Sequence, residues 1–161
     1  AGRTRREGIE LSAEKQFDRG IDAQIAYTRL SATYRDGFAA APVAVNAGNR
    51  MPGVPDMQLY AQLRWRHAPS GFVAAFDVQR RGRVAANDAN AEFAGAYTIA
   101  NLALGFSQRG TRWNLSEFLR VDNLSDRNYA GSVIVNDGNN RFYEPAPRRN
   151  VALGVQASLE F

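Results

Sequence analysis

The sequence predicts an all-β protein with about seven antiparallel, up-and-down transmembrane β-barrel strands. Three observations support this prediction: apolar and polar residues alternate with a period of two, the connections alternate between short and long, and aromatic residues lie at one end of the strands. The clearest segment is 151–161, in which apolar residues alternate with small or polar ones. Such residues lie on opposite faces of a strand. In a membrane barrel one face meets lipid, the other lines the lumen, and a closing aromatic such as Phe161 lies at the interface.

Composition excludes several other classes. The chain has 161 residues, of which 45% are hydrophobic, and a mean hydropathy of −0.39. No apolar run approaches the roughly 18 residues that a membrane-spanning helix needs. There is no cysteine and therefore no disulfide framework. The net charge of +4 comes from arginines and Lys15 scattered through turns and loops, whereas a nucleic-acid-binding surface would cluster them, so we expect no nucleic-acid partner.

Seven segments show strand patterning in order along the chain: about 6–17, 21–34, 57–66, 72–79, 97–106, 113–121 and 151–161. The second segment loses its phase beyond Arg29, which indicates either a bulge or a strand end that rises above the bilayer. Glu117 falls in the lipid-facing phase, where an ionised group near the midplane costs up to a few kcal/mol. A bulge around Phe118, or a position nearer the outer interface, would relieve this cost. Lys15 lies near a boundary that its side chain can reach.

The connections between these segments alternate in length. Tight turns at about 18–20, 68–70 and 108–110 alternate with long polar stretches at about 36–55, 81–95 and 125–147. Transmembrane barrels have this asymmetry, with short periplasmic turns and long extracellular loops. The strand ends beside the short turns carry a row of aromatic residues, which predicts an interfacial girdle. These residues are Phe17, Trp65, Phe72, Phe106 and Trp113, and only Ile21 interrupts the row.

Four segments resemble sequence signatures of the barrels of TonB-dependent outer-membrane receptors. Residues 121–126 with Tyr129 resemble a late "V-x-N-L-x-D-x-x-Y" signature, and residues 145–161 resemble the closing "P-x-P-G-R-N … aromatic" motif, with Arg148 where glycine is usual. Residues 6–11 are similar to an upstream "R-x-G-[VI]-E" strand, and residues 48–55 to a "G-N-x-[LIM]-P-x-x-P" loop. The likeness extends along nearly the whole chain in order.

This resemblance implies a ligand-gated importer of iron-siderophores, haem or cobalamin in the bacterial outer membrane, powered by TonB. Such receptors have about 22 strands around a plug. We therefore expect residues 1–161 to be the C-terminal segment of a larger, roughly 22-stranded barrel, without the plug. The implied partners are the rest of the barrel and plug, TonB through the missing N-terminal part, the barrel-assembly machinery through Phe161 as assembly signal, the ligand, and outer-membrane lipid with lipopolysaccharide.

Candidate ligand contacts lie in the long loops. Cationic and aromatic side chains suited to an anionic catecholate or hydroxamate chelate are Arg81, Arg83, Tyr129, Arg141, Phe142 and Tyr143. Arginines in such loops equally suit lipopolysaccharide phosphates or neighbouring carboxylates. Asn123 and Asp126 are predicted to hold the strand-to-loop turn.

No enzymatic chemistry is predicted. His67 is the only histidine, and its place at a turn indicates an interfacial residue rather than a metal ligand or a catalytic base. We therefore expect no catalytic residues, no metal site and no cofactor.

Two other interpretations stay open from the residues. A small self-contained outer-membrane barrel, an adhesin or enzyme, would need an eighth strand within about 36–55. A soluble β-sandwich binding module would instead bring the apolar faces together in a dry interior.

Overall fold

The structure of the protein is a computed structural model that describes residues 2–40 and 43–160. Except for a single 3-10 turn (Asp18–Gly20), its regular elements are strands, which in chain order are β1 (Thr4–Phe17), β2 (Ile21–Tyr34), β3 (Phe38–Ala40), β4 (Val43–Val45), β5 (Met57–His67), β6 (Phe72–Arg81), β7 (Val84–Ala85), β8 (Phe93–Ala94), β9 (Tyr97–Arg109), β10 (Trp113–Asp122), β11 (Ala130–Val133), β12 (Tyr143–Pro145) and β13 (Asn150–Leu159). The described residues contain no helix long and apolar enough to cross a membrane.

Seven long strands form one sheet in the order β1-β2-β5-β6-β9-β10-β13, and all neighbours are antiparallel. We call these the wall strands. This up-and-down order confirms the predicted fold class, and the sheet does not close on itself. The remaining strands form three two-stranded sheets, β3-β4, β7-β8 and β11-β12, within the three long connections. The described part of residues 36–55 thus adds no eighth strand to the wall.

The two faces of the sheet differ in chemistry, because opposed residues in an antiparallel pair share a face. On β13, Leu153 and Leu159 belong to the face that we call outward, and their exposed fractions are 76% and 69%. Gln156 and Ser158 lie on the opposite, inward face. No second sheet covers the outward face in the described residues, so its apolar side chains do not meet in the dry interior that a β-sandwich would require.

The register shows that the strands are tilted. Successive opposed residues lead from Phe17 through Ile21, Trp65, Ala74, Leu104 and Leu119 to Leu153. Leu153 lies six residues before Leu159, which opposes Trp113 beside the last short connection. With the short connections at one level, the register shifts by these six residues over six strand pairs, which is one residue per strand on average. A rise of about 3.3 Å per residue and a strand spacing of about 4.8 Å convert this shift into a tilt of roughly 35°, as in barrels.

The apolar outward face has the height of a membrane barrel's belt. On each wall strand it begins at or near the short-connection end, on β9 at Phe106. It ends eight residues further on, at Ile9, Arg29, Met57, Arg80, Thr98, Val121 and Val151. At the tilt given above, eight residues span about 22 Å, against about 25 Å for the apolar band of known barrels. We call this surface the apolar belt. We call the seven residues at which it ends the upper row, and below this row the only charged outward residues of the described strands are Lys15 and Glu117.

The structure excludes the two bulges that the sequence left open. β1 and β2 pair without a register break as far as Tyr34, so of the two alternatives beyond Arg29 the bulge is excluded and the strand end that rises higher remains. Pairing of β2 with β5 ends at Arg29, and the strand continues above the belt. β10 also pairs without a break, which excludes a bulge at Phe118. Glu117 is the middle outward residue of β10, four positions from both Trp113 and Val121, and it opposes Phe106 and Val155.

Most buried side chains lie at the long-loop end. Ala32, Tyr34, Val84, Ala86 and Phe142 form part of a small core between the upper strand ends and the loops. The connections keep the predicted alternation of short and long. We name the long ones L1 (residues 35–56), L2 (82–96) and L3 (123–149). Because their apolar residues pack together, the loops form a structured cap on the sheet rather than loose tethers.

Candidate ligand-binding site

Asp88 of L2 joins all three long loops. Its carboxylate accepts hydrogen bonds from the Tyr34 hydroxyl at 2.6 Å and from Asn136 Nδ2 at 3.0 Å, and its backbone N–H donates to Asn136 Oδ1 at 3.0 Å. Its carbonyl accepts from Asn49 Nδ2 of L1 at 2.9 Å. Asp88 therefore links the top of β2 to L3 through its carboxylate and to L1 through its backbone carbonyl. Hydrogen bonds to an ionised group are stronger than neutral ones, so Asp88 fixes the loops relative to one another.

The segment 121–126, which carries one of the sequence signatures, links the end of β10 to the start of β13. The Asn123 side chain is buried, and it accepts from Arg127 N at 2.9 Å and donates to Arg127 O at 2.8 Å. The Asp126 carboxylate accepts from the backbone N–H of Arg149 at 3.0 Å and from the Arg148 guanidinium at 2.7 Å. The backbone hydrogen bond from Arg149 and then the Arg148 guanidinium lower the Asp126 pKa below its ordinary value. The predicted turn-holding role of Asn123 and Asp126 is confirmed.

An inward-facing cavity of about 300 Å³ lies directly below the loops. It is lined by Tyr60 of β5, Arg81 of β6 and Tyr97 of β9, among others. Arg81 and Tyr97 are directly opposed in the sheet, so both side chains point to the inward face. Arg81 Nε is buried and has no hydrogen-bond partner among the described residues. An unpaired buried guanidinium donor is unfavourable, and an anionic acceptor in this cavity would satisfy it.

Tyr129 of L3 extends this aromatic surface upward. Its ring packs on that of Tyr97, with ring centroids 4.2 Å apart. Tyr129 and Tyr143 also line a second cavity of about 420 Å³ together with Phe93 and Pro145. Burial raises the pKa of Tyr129, and burial together with the hydrogen bond to Glu92 raises that of Tyr143. Both phenols are therefore neutral hydrogen-bonding groups at pH 7.

The other predicted contact residues lie apart from this surface. Arg83 is on the outward side of L2, with its guanidinium carbon 4.6 Å from the centre of the Phe93 ring. Phe142 is 7% exposed and belongs to the core under the loops. Arg141 is exposed, and its backbone N–H donates to Asp137 at 2.6 Å. Of the six predicted residues, the structure thus brings together Tyr129 and Tyr143 in one cavity and places Arg81 in the next.

Sequence reasoning missed Tyr60 and Tyr97 as members of this surface. Both lie on the inward face near the upper ends of their strands. An aromatic residue among the polar positions of a strand, close to a long loop, is the sequence pattern that could have identified them. Asp88 and Asn136 were missed because their pairing joins loops 48 residues apart.

Neither an active centre nor a metal centre appears in the described residues. Ser70 Oγ lies 2.7 Å from His67 Nδ1, but both belong to one exposed turn, in which Ser70 Oγ also accepts from the backbone N–H of Phe72. No ion pair of the described residues orients the imidazole with a carboxylate. The described residues also include no group of three His, Cys, Asp or Glu side chains placed to hold a metal ion.

The predicted girdle residues share one edge of the outward face. Phe72 opposes Phe106, and the rings of Phe72 and Trp65 are 5.9 Å apart. Phe17 and Trp113 are exposed at the short-connection ends of β1 and β10. Phe161, the predicted assembly signal, lies outside the described residues.

The chain matches one family model and several solved structures. Residues 1–124 match the family model described as "TonB dependent receptor-like, beta-barrel". Among solved structures, the siderophore receptor PiuA from Acinetobacter baumannii superposes with a TM-score of 0.78 at 17% identity, covering 96% of this chain and 22% of that one. The ferric yersiniabactin uptake receptor FyuA from Yersinia pestis gives 0.71 at 22% identity, covering 100% and 24%.

The ferric-catecholate import receptor Fiu from Escherichia coli K12 gives a TM-score of 0.72 at 20% identity, covering 98% of this chain and 21% of that one. The chain therefore spans less than a quarter of the length of these structures. At such identities the likeness establishes the fold.

Proposed function

Since the chain belongs to the TonB-dependent receptor β-barrel family, we propose that it forms part of the wall and extracellular loops of an outer-membrane receptor for an iron-siderophore or a similar metal chelate. In this proposal residues 1–161 are a C-terminal segment of a barrel of about 22 strands. The rest of the wall continues from the edges of β1 and β13, and a plug fills the barrel. TonB acts through that other part of the receptor, and the segment itself performs no catalytic step.

The observation that carries the proposal is the division of one tilted sheet into an apolar outward face and a polar inward face. A sheet with this division is stable only where lipid covers the first face and water or protein the second. The aromatic edge containing Trp65 and Trp113 then lies at the periplasmic interface, and L1, L2 and L3 lie outside the cell. Phe161 is proposed to serve recognition by the barrel-assembly machinery.

The ligand surface is proposed to include Arg81, Tyr129 and Tyr143. Arg81 offers a guanidinium with an unsatisfied donor to an anionic chelate, since a charge-assisted hydrogen bond is strongest where water is excluded. The two tyrosines offer ring faces to a planar aromatic chelator and hydroxyls that stay protonated. Arg141 is exposed above them for capture at the loop surface, and Phe142 supports Tyr143 from below, with ring centroids 6.2 Å apart.

Ligand binding to the complete receptor tests this assignment. We expect Arg81→Ala and Tyr129→Ala each to weaken binding of a ferric tris-catecholate complex by about tenfold or more, the worth of one charge-assisted hydrogen bond or stacked ring. Arg66→Ala is the matched control, because it removes an inward arginine at the opposite end of its strand. Equal binding by Arg81→Ala, Tyr129→Ala and wild type, for both ferric catecholates and ferric hydroxamates, would overturn the assignment.

A further inference from the structure

A second cleft lies on the outward side of the sheet, at the upper edge of the apolar belt. It has a volume of about 790 Å³, within the range of small-molecule sites, and four arginines line it: Arg29, Arg50, Arg80 and Arg83. Arg29 and Arg80 are the last outward residues of the belt on β2 and β6, eight residues above the short connections. The cleft therefore opens on the opposite face of the sheet from the inward cavity beside Arg81, and Arg80 lines both.

Three of the four arginines are free of carboxylate partners in the described residues. Arg50 lies 3.6 Å from Asp56, and the other lining carboxylate, Glu7, pairs with Arg5. The described ion pairs include none of Arg29, Arg80 and Arg83. The cleft thus carries a positive charge that its own acids do not neutralise.

Two of the guanidinium groups, those of Arg80 and Arg83, are held in place by neutral contacts. Arg80 Nη1 donates to Thr98 Oγ1 at 3.1 Å, and Arg83 lies over the ring of Phe93. The backbone below them is tied together, because Leu30 N donates to Asp56 O at 3.1 Å and Gly82 N to Met57 O at 2.7 Å. A β-carbon at residue 82 would collide with the Asp56 carboxylate, so glycine at this position lets Asp56 approach and orient Arg50. Such fixed cations lose little freedom when an anion binds.

Apolar side chains lie beside and below the cations, since Ile9 and Met57 oppose Arg29 in the upper row of the belt and Tyr27 is the next outward residue below Arg29. Ile9, Tyr27 and Met57 line the same cleft and belong to the outward face. A ligand that fits must place a multiply charged anionic group against the arginines and hydrocarbon against these residues. Free phosphate has no hydrocarbon, and a soluble chelate approaching through the lumen would not reach the outward face.

We infer that this cleft binds the phosphorylated headgroup of a glycolipid of the outer leaflet, such as the lipid A part of lipopolysaccharide. The inference rests on the proposed outer-membrane location of the belt, since only then do Arg29, Arg80 and Arg83 lie at headgroup level on the extracellular side. Arginines present forked donors that match phosphate oxygens, and each cation near a membrane surface adds attraction for anionic lipid. The acyl chains lie against the apolar belt.

The test compares Arg29→Gln/Arg80→Gln with Arg66→Gln/Arg109→Gln in the complete receptor. Both pairs remove two positive charges, but Arg66 and Arg109 lie on the inward face near the short connections. Binding is measured in phosphatidylcholine vesicles that carry bisphosphorylated lipid A or its dephosphorylated form, with inorganic phosphate in a separate arm. We expect wild type to prefer the phosphorylated lipid and the Arg29/Arg80 variant to lose about tenfold or more of that affinity. The control variant keeps it.

Equal lipid A binding by wild type and the Arg29/Arg80 variant, or an equal loss of affinity in the control variant, would refute the inference that the cleft binds this lipid. Full competition by inorganic phosphate at the lipid's own concentration would show a site for free anions instead of a lipid. In all of these cases wild type still inserts into the vesicles. Failure of wild type to insert at all would contradict the proposed function itself, so the two failures are distinguishable.

Discussion

Placing an arginine in the middle of the apolar belt should be costly, while the same change one residue away should not. Ile25 is the middle outward residue of β2, opposes Ala13 and Ala61, and has an exposed fraction of 47%. Gln24 precedes it on the inward face. In a bilayer Ile25→Arg buries a guanidinium in hydrocarbon, which costs about 2–4 kcal/mol at the midplane. At about 1.4 kcal/mol per tenfold change, this lowers the folding equilibrium constant by roughly 30- to 700-fold.

The assay is guanidinium-induced unfolding of the complete receptor in lipid vesicles. Gln24→Arg, exposed to the lumen, should change the free energy of unfolding by no more than about 0.5 kcal/mol. Moving the arginine along β2 should give a cost that peaks at Ile25 and falls toward Ile21 and toward Arg29, because the penalty depends on depth. If Ile25→Arg and Gln24→Arg had equal, small effects, the outward face would be facing water and the reasoning would be refuted.

Three further changes probe particular residues by unfolding in vesicles. Glu117→Leu should stabilise the receptor by about 1–2 kcal/mol because it removes an acid from the middle row of the belt, and a loss of stability would reveal an unseen partner. Asn123→Ala should lower the free energy of unfolding by about 3 kcal/mol, because it removes two hydrogen bonds worth about 1 kcal/mol each and places alanine in a left-handed backbone conformation (φ 54°). Asn123→Gly should cost about 1 kcal/mol less, because glycine adopts this conformation without strain. Equal costs for the two variants would show that the backbone conformation does not contribute. Asp126 has a folded pKa below its ordinary 3.8, so its contribution is fully present above that value and is lost as the pH falls through the folded pKa. The stability difference between wild type and Asp126→Asn should therefore shrink as the pH falls below about 4, and a difference that grows on acidification would contradict the pairing.

The wall could be predicted from sequence because its stabilising pattern is local. Each outward residue of β13 is two positions from the next, so the face to which Leu153 belongs is visible without knowing its neighbours. The same holds for the turn at Asn123 and Asp126, since the Asn123 clamp closes within four residues. In these places local preference and tertiary structure agree.

The direction of a side chain could be predicted only within the strands, where residues alternate between the two faces. Arg81 is the last residue of β6, and its inward side follows from the alternation, but Arg83 lies beyond the strand and turns to the outward cleft. The loop cap depends on contacts such as Tyr34 with Asp88, 54 residues apart, which no local pattern encodes. Glu117 keeps the outward phase that the alternation gives it, and β10 pairs on both sides without the bulge that was one of the two alternatives.

A nitroxide scan along residues 151–159 of β13 tests the central claim most directly. With the complete receptor in vesicles, labels at odd positions should be accessible to oxygen dissolved in the bilayer, most of all at Val155, and labels at even positions to an aqueous nickel chelate. The ratio of the two accessibilities should therefore alternate with a period of two. A scan without alternation, or odd positions shielded from both reagents, would contradict a wall with lipid on one side and the lumen on the other.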